Sequence, residues 1–222
     1  APNRKLISNK VKVIEEDSYG NIWIGTEESG VQKISLNETL EILESKSFFS
    51  KNAVDATEGV SINTIFLDSN NHIWVGTTGN GLFSIDPRND SFTNFSKKDG
   101  LPSNMIHAIL EDNSQKIWGS TNVGLFSLDP VKKEVKQYSS ADGLQSGGFY
   151  KSSALKTRNG QLYFGGINGF TVFQEEENQL NTEPPKIYIT KFEVSDKPYL
   201  FKNEDNPKTV FNDQEVKLKY DQ

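Results

Sequence analysis

Three aspartate and tryptophan pairs are the residues of this sequence whose type and spacing first suggest chemistry. Asp17 precedes Trp23, Asp68 precedes Trp74 and Asp112 precedes Trp118, each by six residues. A carboxylate repeatedly set before an indole could be taken for a reactive pair. Its recurrence at a fixed step argues for architecture instead, with the indole as a packing wedge and the carboxylate bonding backbone amides of a turn. Of the two histidines, His72 falls in a turn and His107 in an apolar segment. There is no Ser/His/Asp set, no nucleophile motif, no phosphate loop and no HExxH motif. The carboxylate runs Glu15-Glu16-Asp17 and Glu175-Glu176-Glu177 are contiguous in sequence, as on a solvated surface. No catalytic residue, metal site or cofactor is expected.

The pairs are positioned by a repeat. Asp68 to Asp86, DSNNHIWVGTTGNGLFSID, has copies beginning at Asp17 and Asp112, and a fourth in which Thr157 and Tyr163 replace the pair. The anchors Trp23, Trp74, Trp118 and Tyr163 are separated by 51, 44 and 45 residues, close to the period of a four-stranded propeller blade. Within each unit a turn rich in Asp, Asn and Gly divides two short apolar segments, as in a hairpin. Ile22-Trp23-Ile24 is apolar on both faces, as befits a strand between stacked sheets. Phe92 to Phe95 and Val135 to Tyr138 read as edge strands, so each unit has four strands. Trp118 is followed at once by Gly119-Ser120, where the other units keep one more residue before the small pair; a strand one residue shorter, or bulged, is expected there. Residues 36–58 read as a decorated outer strand and loop.

Each such unit has two apolar faces and must stack on its neighbours. Ligands of stacked blades are bound where the second strand turns into the third and where the chain crosses to the next unit. In this sequence that face carries residues 26–30, 77–81, 121–124 and 166–169, with crossings around Asn104 and 145–150. The turn skeleton is constant and its tips vary, which is where recognition can be written. Glu28, Thr78, Asn80, Asn104, Asn122 and Asn168 are the candidate ligand-binding residues. Their amides and hydroxyls suit an oligosaccharide or another small polar ligand. The structural set is Asp17, Trp23, Asp68, Trp74, Asp112, Trp118 and Tyr163.

Composition sets outer bounds. The 222 residues are 34% hydrophobic and 11% aromatic, enough for a packed core. The net charge of -6 excludes a surface designed to neutralise phosphates, so no nucleic-acid partner is expected. Cysteine is absent, which removes disulfides and thiolate metal sites. No apolar run approaches the length that spans a bilayer. After Gln174 the character changes: residues 175–185 form a polar linker ending in Pro184-Pro185. Beyond it Ile187 and Ile189 alternate in one phase and Phe192 and Val194 in the other, so a bulge near Thr190 is expected. Val216, Leu218 and Tyr220 alternate again, and residues 186–222 read as an incomplete second domain. The organisation expected is all-β, with blades over residues 1–174. Open sheet edges at the two ends of such an arc predict self-association.

The pattern D-S-x-G-N-I-W-I-G-T at Asp17 to Thr26, closed by G-V-x-K-I at Gly30 to Ile34, resembles the two-component regulator propeller repeat, as do its copies at 68 and 112 and the crossing D-G-L-P-S-N at Asp99 to Asn104. N-G-Q-L-Y-F-G-G-I-N-G-F at Asn159 to Phe170 is similar to the variant that closes the second propeller of sensors in that family. P-P-K-I-Y-I-T-K-F-E-V at Pro184 to Val194 and V-K-L-K-Y-D-Q at Val216 to Gln222 resemble the opening of the immunoglobulin-like sandwich named for its three tyrosines. The resemblance implies part of the periplasmic sensor region of a hybrid two-component regulator of Bacteroidetes type. In such a regulator paired seven-bladed propellers precede the sandwich, a membrane helix, a histidine kinase, a receiver and a DNA-binding domain. It implies a non-enzymatic sensor of oligosaccharides that controls transcription, works as a homodimer, and meets the membrane only through a downstream helix. Two alternatives stay open: an enzyme resembling streptogramin lyases, which needs a histidine and acidic residues at the propeller mouth, and a protein-binding propeller scaffold.

Overall fold

The computed structural model describes residues 6–39, 41–49, 59–173, 193–194 and 197–198. The chain divides into two compact units, Ala1–Asn178 and Gln179–Gln222. The first unit is a succession of antiparallel meanders. β1 to β4 are Val11–Glu16, Ile22–Thr26, Val31–Leu36 and Ile42–Phe48; β5 to β8 are Ile62–Leu67, Ile73–Thr77, Leu82–Ile85 and Phe92–Phe95. β9 to β12 are Ile106–Glu111, Ile117–Thr121, Leu125–Asp129 and Glu134–Tyr138; β13 to β15 are Phe149–Lys156, Leu162–Gly166 and Gly169–Phe173. Each meander is its own sheet in sequence order, three of four strands and the last of three among the described residues. These are four blades. Their first strands, β1, β5, β9 and β13, lie side by side along the inner edge.

In the second unit the described residues form one small antiparallel pair, β16 (Glu193–Val194) with β17 (Lys197–Pro198). The linker at 175–185, the change of phase near Thr190 and the strand of Val216, Leu218 and Tyr220 lie outside the described residues.

The turns between first and second strands form because an aspartate organises them. Asp68 Oδ1 accepts the backbone N–H of Asn70 and of His72, at 2.9 and 2.8 Å, which is an Asx turn closed onto the following strand. Asp17 and Asp112 do the same for their own units. The second strands of the first three blades are buried along nearly their whole length, so the tryptophans they carry face the next blade. Trp23 packs with Ile62, Ile73 and Ile85 of the second blade, Trp74 with Ile106, Ile117 and Leu128 of the third, and Trp118 with Leu162 and Phe164 of the fourth. An indole buried this way removes roughly 150–250 Å² from water. At about 25 cal/mol per Å² each wedge contributes some 4–6 kcal/mol before entropy is counted. The outward faces of the end blades stay exposed, with Ile14 on β1 and Leu155 on β13 among the most accessible large apolar residues.

The third blade corrects one expectation. β10 has five residues, as β2 and β6 have, so nothing is shortened. Gly119 occupies the place of Ile24 and Val75 because the ring of Phe126, its cross-strand partner, lies over it; a Cβ on Gly119 would stand 2.2 Å from Phe126 Cζ. Ser120 then takes the place of Gly25 and Gly76, opposite the small Ala108, where the second blade pairs Gly76 with Thr64. The bulge exists, but every blade has it on its first strand. Pairing skips Lys12 in β1, Asn63 in β5, His107 in β9 and residues 150–153 in β13.

The crossings contain a device absent from the sequence reading. Ser96 and Asp99 form a capping box around a single 3-10 turn, and Ser139 and Asp142 repeat it one blade later. Each box presents the following leucine, Leu101 or Leu144, to the core between two blades.

Candidate ligand-binding face

In the first three blades the loops from second to third strand share one construction. A buried threonine ends the second strand and folds the turn over its own hydroxyl. Thr77 Oγ1 donates to Gly81 O at 2.8 Å and accepts from Asn80 N at 2.8 Å. Thr26 with Gly30 and Ser29, and Thr121 with Gly124, repeat this. The threonines Thr26, Thr77 and Thr121 were in the turn ranges read from the sequence, but their hydroxyls as organisers were not foreseen. In the first two blades the turn then docks on the crossing that leaves the same blade, Gly81 N donating to Asn104 O and Gly30 N to Val60 O, whereas in the fourth Ile167 N donates to Gly148 O of the crossing that enters it. Gly81 has φ +82, and a Cβ there would lie 2.1 Å from Phe95 O, so a side chain is barred twice over.

On this skeleton the six candidate residues divide. Asn80 and Asn122 are exposed at turn tips, and Asn80 takes part in bonding through its backbone, its O accepting from Asn94 Nδ2. Glu28 is exposed and faces Lys10 at 3.3 Å, an accessible ion pair of little energetic weight. Thr78 points inward, its hydroxyl donating to Asn63 Oδ1 at 3.0 Å. Asn104 is used by the scaffold, since its Oδ1 accepts Lys97 N at 2.8 Å. Asn168 ties its turn to the preceding crossing through Ser146 O, and its N–H donates to Gln145 Oε1.

The bulges add residues that sequence reasoning missed. A bulge turns an extra side chain away from the strand's regular alternation, and here it does so at the loop end of each inner strand. Asn63, buried, donates through Nδ2 to Ile106 O of the third blade at 2.8 Å. One blade on, the buried His107 makes the same reach, its Nδ1–H donating to Phe149 O of the fourth. That bond places the proton on Nδ1 and leaves Nε2 as an acceptor. Burial pushes the His107 pKa down, the carbonyl of Phe149 opposes this, and the ammonium of Lys151 lowers it further. Lys12 holds the same position in the first blade, exposed, and Tyr150, Lys151 and Ser152 are exposed in the widened bulge of the fourth. A pattern of alternate residues cannot reveal a bulge, which is why these positions stayed hidden. Only the coincidence of Lys12, Asn63 and His107 at one place in the repeat could have signalled them.

The structural set sits as an internal frame. The indole Nε1–H of Trp23, Trp74 and Trp118 donates to Oδ2 of Asp17, Asp68 and Asp112 at 2.8, 2.7 and 2.7 Å. The carboxylate therefore serves the turn with one oxygen and the wedge with the other. In the fourth unit Thr157 Oγ1 accepts Gln161 N, and Tyr163 is half-buried with its hydroxyl near Gln161 Oε1 at 3.4 Å. His72 lies on the far face beside Asp68. Among the described residues no three His, Asp or Glu side chains gather where they could hold a metal ion. His107 lies at the loop-face end of β9, buried in the bulge.

With that geometry in view, known proteins can be set beside it. The sequence signature of the two-component regulator propeller matches residues 5–28 and 58–79, the first hairpins of the first two blades. Those two stretches carry the two-component regulator propeller repeat. Histidine kinase P4 of Formosa agariphila is 32% identical over 191 residues, covering 85% of this chain and 14% of that protein. The extracellular domain of a hybrid two-component system from B. thetaiotaomicron is 29% identical and superposes with a TM-score of 0.71, over 94% of this chain and 27% of that one. The chain thus spans a small part of either relative. Virginiamycin B lyase of Staphylococcus aureus, 14% identical with a TM-score of 0.53 over 80% of this chain and 59% of its own, shares the fold alone. Among the described residues no helix is long and apolar enough to cross a membrane.

Proposed function

We propose that this regulator propeller is a ligand-sensing, non-enzymatic segment of a hybrid two-component sensor, placed in the periplasm, that recognises an oligosaccharide on its loop face. The observation that carries the reading is the threonine-built turn of the first three blades with changing tips, Glu28, then Thr78 and Asn80, then Asn122, joined by Asn168 in the glycine-ended turn of the fourth. Neutral amides and hydroxyls held on a rigid frame suit hydroxyl-rich ligands. Asn63, His107 and Lys12 extend the same face towards its inner edge, and Asn63 holds Thr78 in place. In this reading residues 175–185 link the blades to an immunoglobulin-like sandwich beginning at 186. Ligand occupancy alters the orientation of that sandwich, within a homodimer, and so controls transcription across the membrane.

The test is calorimetry of the intact sensor region with a panel of oligosaccharides. Saturable binding that is lost in Asn80→Ala combined with Asn122→Ala supports the reading. A folded protein that binds no member of the panel, or binds one with unchanged affinity in that variant, overturns the placement.

A further inference from the structure

At the loop end the inner strands converge. β9 lies against both β5 and β13, and β13 also meets β5, so the bulges of the second, third and fourth blades open on one place. They bring Asn63, His107 and residues 150–153 there, with Lys12 on the neighbouring β1.

The charges at this place are one-sided. The described carboxylates of the loop face are taken: Glu27 and Glu28 face Lys10 at 3.5 and 3.3 Å, and Asp99 and Asp142 are held by Ser96 and Ser139 in their capping boxes. Lys12 and Lys151 are exposed, and neither has a carboxylate partner among the described residues. His107 adds a third basic group. Its Nδ1–H is committed to Phe149 O, and its Nε2 bonds no described residue. Ser120 Oγ is the one side-chain polar atom of the described residues that is both sealed from solvent and without a partner, so Nε2 is open to solvent although the residue is only 7% exposed. Burial lowers the pKa of His107, and the ammonium of Lys151 is close enough to lower it further. Of the other strands packed on β9, β5, β6 and β10 carry no titratable side chain. On β13 Tyr150 and Lys151 are in the bulge and Lys156 is at the far end. Glu111, the carboxylate of β9, is also at the far end and accepts from Ser69. A chain of net charge -6 has thus gathered basic groups at one edge with no counter-charge among them.

We propose that this edge is an anion subsite of the loop-face site, at which His107 and Lys151 hold one carboxylate or sulfate group of an acidic saccharide. The proposal rests on the loop-face reading above and adds the charge class of its ligand. When the anion arrives, His107 takes up a proton from solvent at Nε2. Nε2–H then donates to an anionic oxygen while Nδ1–H keeps its bond to Phe149 O, and the ammonium of Lys151 faces the same charge.

The 222-residue chain has two histidines, so NMR of the imidazole signals follows His107 with His72, on the far face, as internal reference. The probes are trigalacturonic acid for a carboxylate, neocarrabiose sulfate for a sulfate ester, and neutral galactotriose. Saturation with at least one acidic probe is expected to raise the titration midpoint of His107 and to leave the His72 signals in place. Affinity for that probe, measured by calorimetry, should rise by up to about tenfold per pH unit as pH falls through the His107 titration. His107→Asn, which retains a donor for Phe149 O, should remove that pH dependence. Lys151→Ala, at an exposed position of the bulge, should raise the His107 midpoint of the free chain yet weaken the acidic probe roughly two- to fivefold. A lysine with a structural role alone would not move the two in opposite senses. The probe that acts identifies the anion as carboxylate or sulfate. No His107 response to either acidic probe, an equal response to galactotriose, or a pH dependence that survives in His107→Asn overturns the proposal. Binding of galactotriose that is lost in Asn80→Ala combined with Asn122→Ala would then leave the loop-face reading standing without it.

Discussion

Replacing Asp68 by asparagine tests whether the repeated aspartate is scaffold. Asp68 is buried, and its two oxygens accept three N–H groups: Asn70, His72 and the indole of Trp74. Asparagine preserves the shape and one acceptor oxygen, which can keep the two backbone bonds. Its amide nitrogen then faces the Trp74 N–H, donor against donor. A buried donor left without a partner costs about 1–3 kcal/mol, and charge assistance on the other bonds is lost as well. The expected loss is about 2–4 kcal/mol out of a total of roughly 5–15 kcal/mol. Urea unfolding followed by far-ultraviolet circular dichroism measures it. Trp74→Phe removes the indole N–H that the asparagine cannot satisfy, so the double variant should be less damaged than the sum of the singles, with a coupling of about 1–3 kcal/mol. Thr157→Ala, in the unit that has no such pair, should cost about 1 kcal/mol. A loss in Asp68→Asn below about 0.5 kcal/mol, or single effects that add within the usual error, would refute the argument.

Three further outcomes follow from the same geometry. Burial raises the pKa of Asp17 and Asp90, but the bonds from Trp23, Asn21 and Tyr19 to the first and from Lys46 and Lys33 to the second outweigh this and leave both lowered. Their contribution is therefore complete above the unfolded value of 3.8 and disappears as pH falls through the folded values; urea midpoints should drop over that range, and less steeply in Asp90→Asn. His107 has its pKa lowered from 6.5, so the unfolded chain takes the proton first and stability is lost as pH falls below that value. An imidazole midpoint by NMR at or above 6.5 would contradict this, and His107→Asn, which can copy the bond that Asn63 makes, should flatten the pH dependence. Gly119→Val restores the residue type of the second blade at a place already filled by Phe126 and should cost about 1–3 kcal/mol by overpacking, read from the thermal midpoint.

The blades were legible because their causes are local. A turn residue set, a doubly apolar strand and a fixed period are written into every copy, so strands such as Phe92–Phe95 could be located from pattern alone. What escaped was non-local or hidden by the pattern. Phe126 displaces a glycine by one position in a partner strand, and no reading of β10 by itself could say so. The second oxygen of each aspartate goes to an indole six residues away because the hairpin brings them together, whereas the sequence offered only the backbone amides of the turn. On the loop face, residue type singled out Asn80 and Asn122, which are exposed at their turn tips. It could not distinguish them from Asn104, whose side chain is taken by Lys97 N.

The bulge sharpens where variation between blades is free to act. Ladder positions of an inner strand face a neighbouring blade, and their size is fixed by packing, as Thr64 against Gly76 and Ala108 against Ser120 illustrate. A bulged residue is outside the ladder, so its identity is not constrained by the cross-strand partner. That is why lysine, asparagine and histidine can succeed one another at Lys12, Asn63 and His107 without disturbing the sheet. Two of the three have been drawn into bonding the next blade, each to the carbonyl just before the next bulge. The third, Lys12, is exposed, as are Tyr150 and Lys151 in the wider bulge of the fourth blade. The inner edge of the loop face thus combines a hydrogen-bonded centre with charged and aromatic flanks. Changes of specificity are expected to fall on those flanks, since substitution at Asn63 or His107 also breaks a bond between blades.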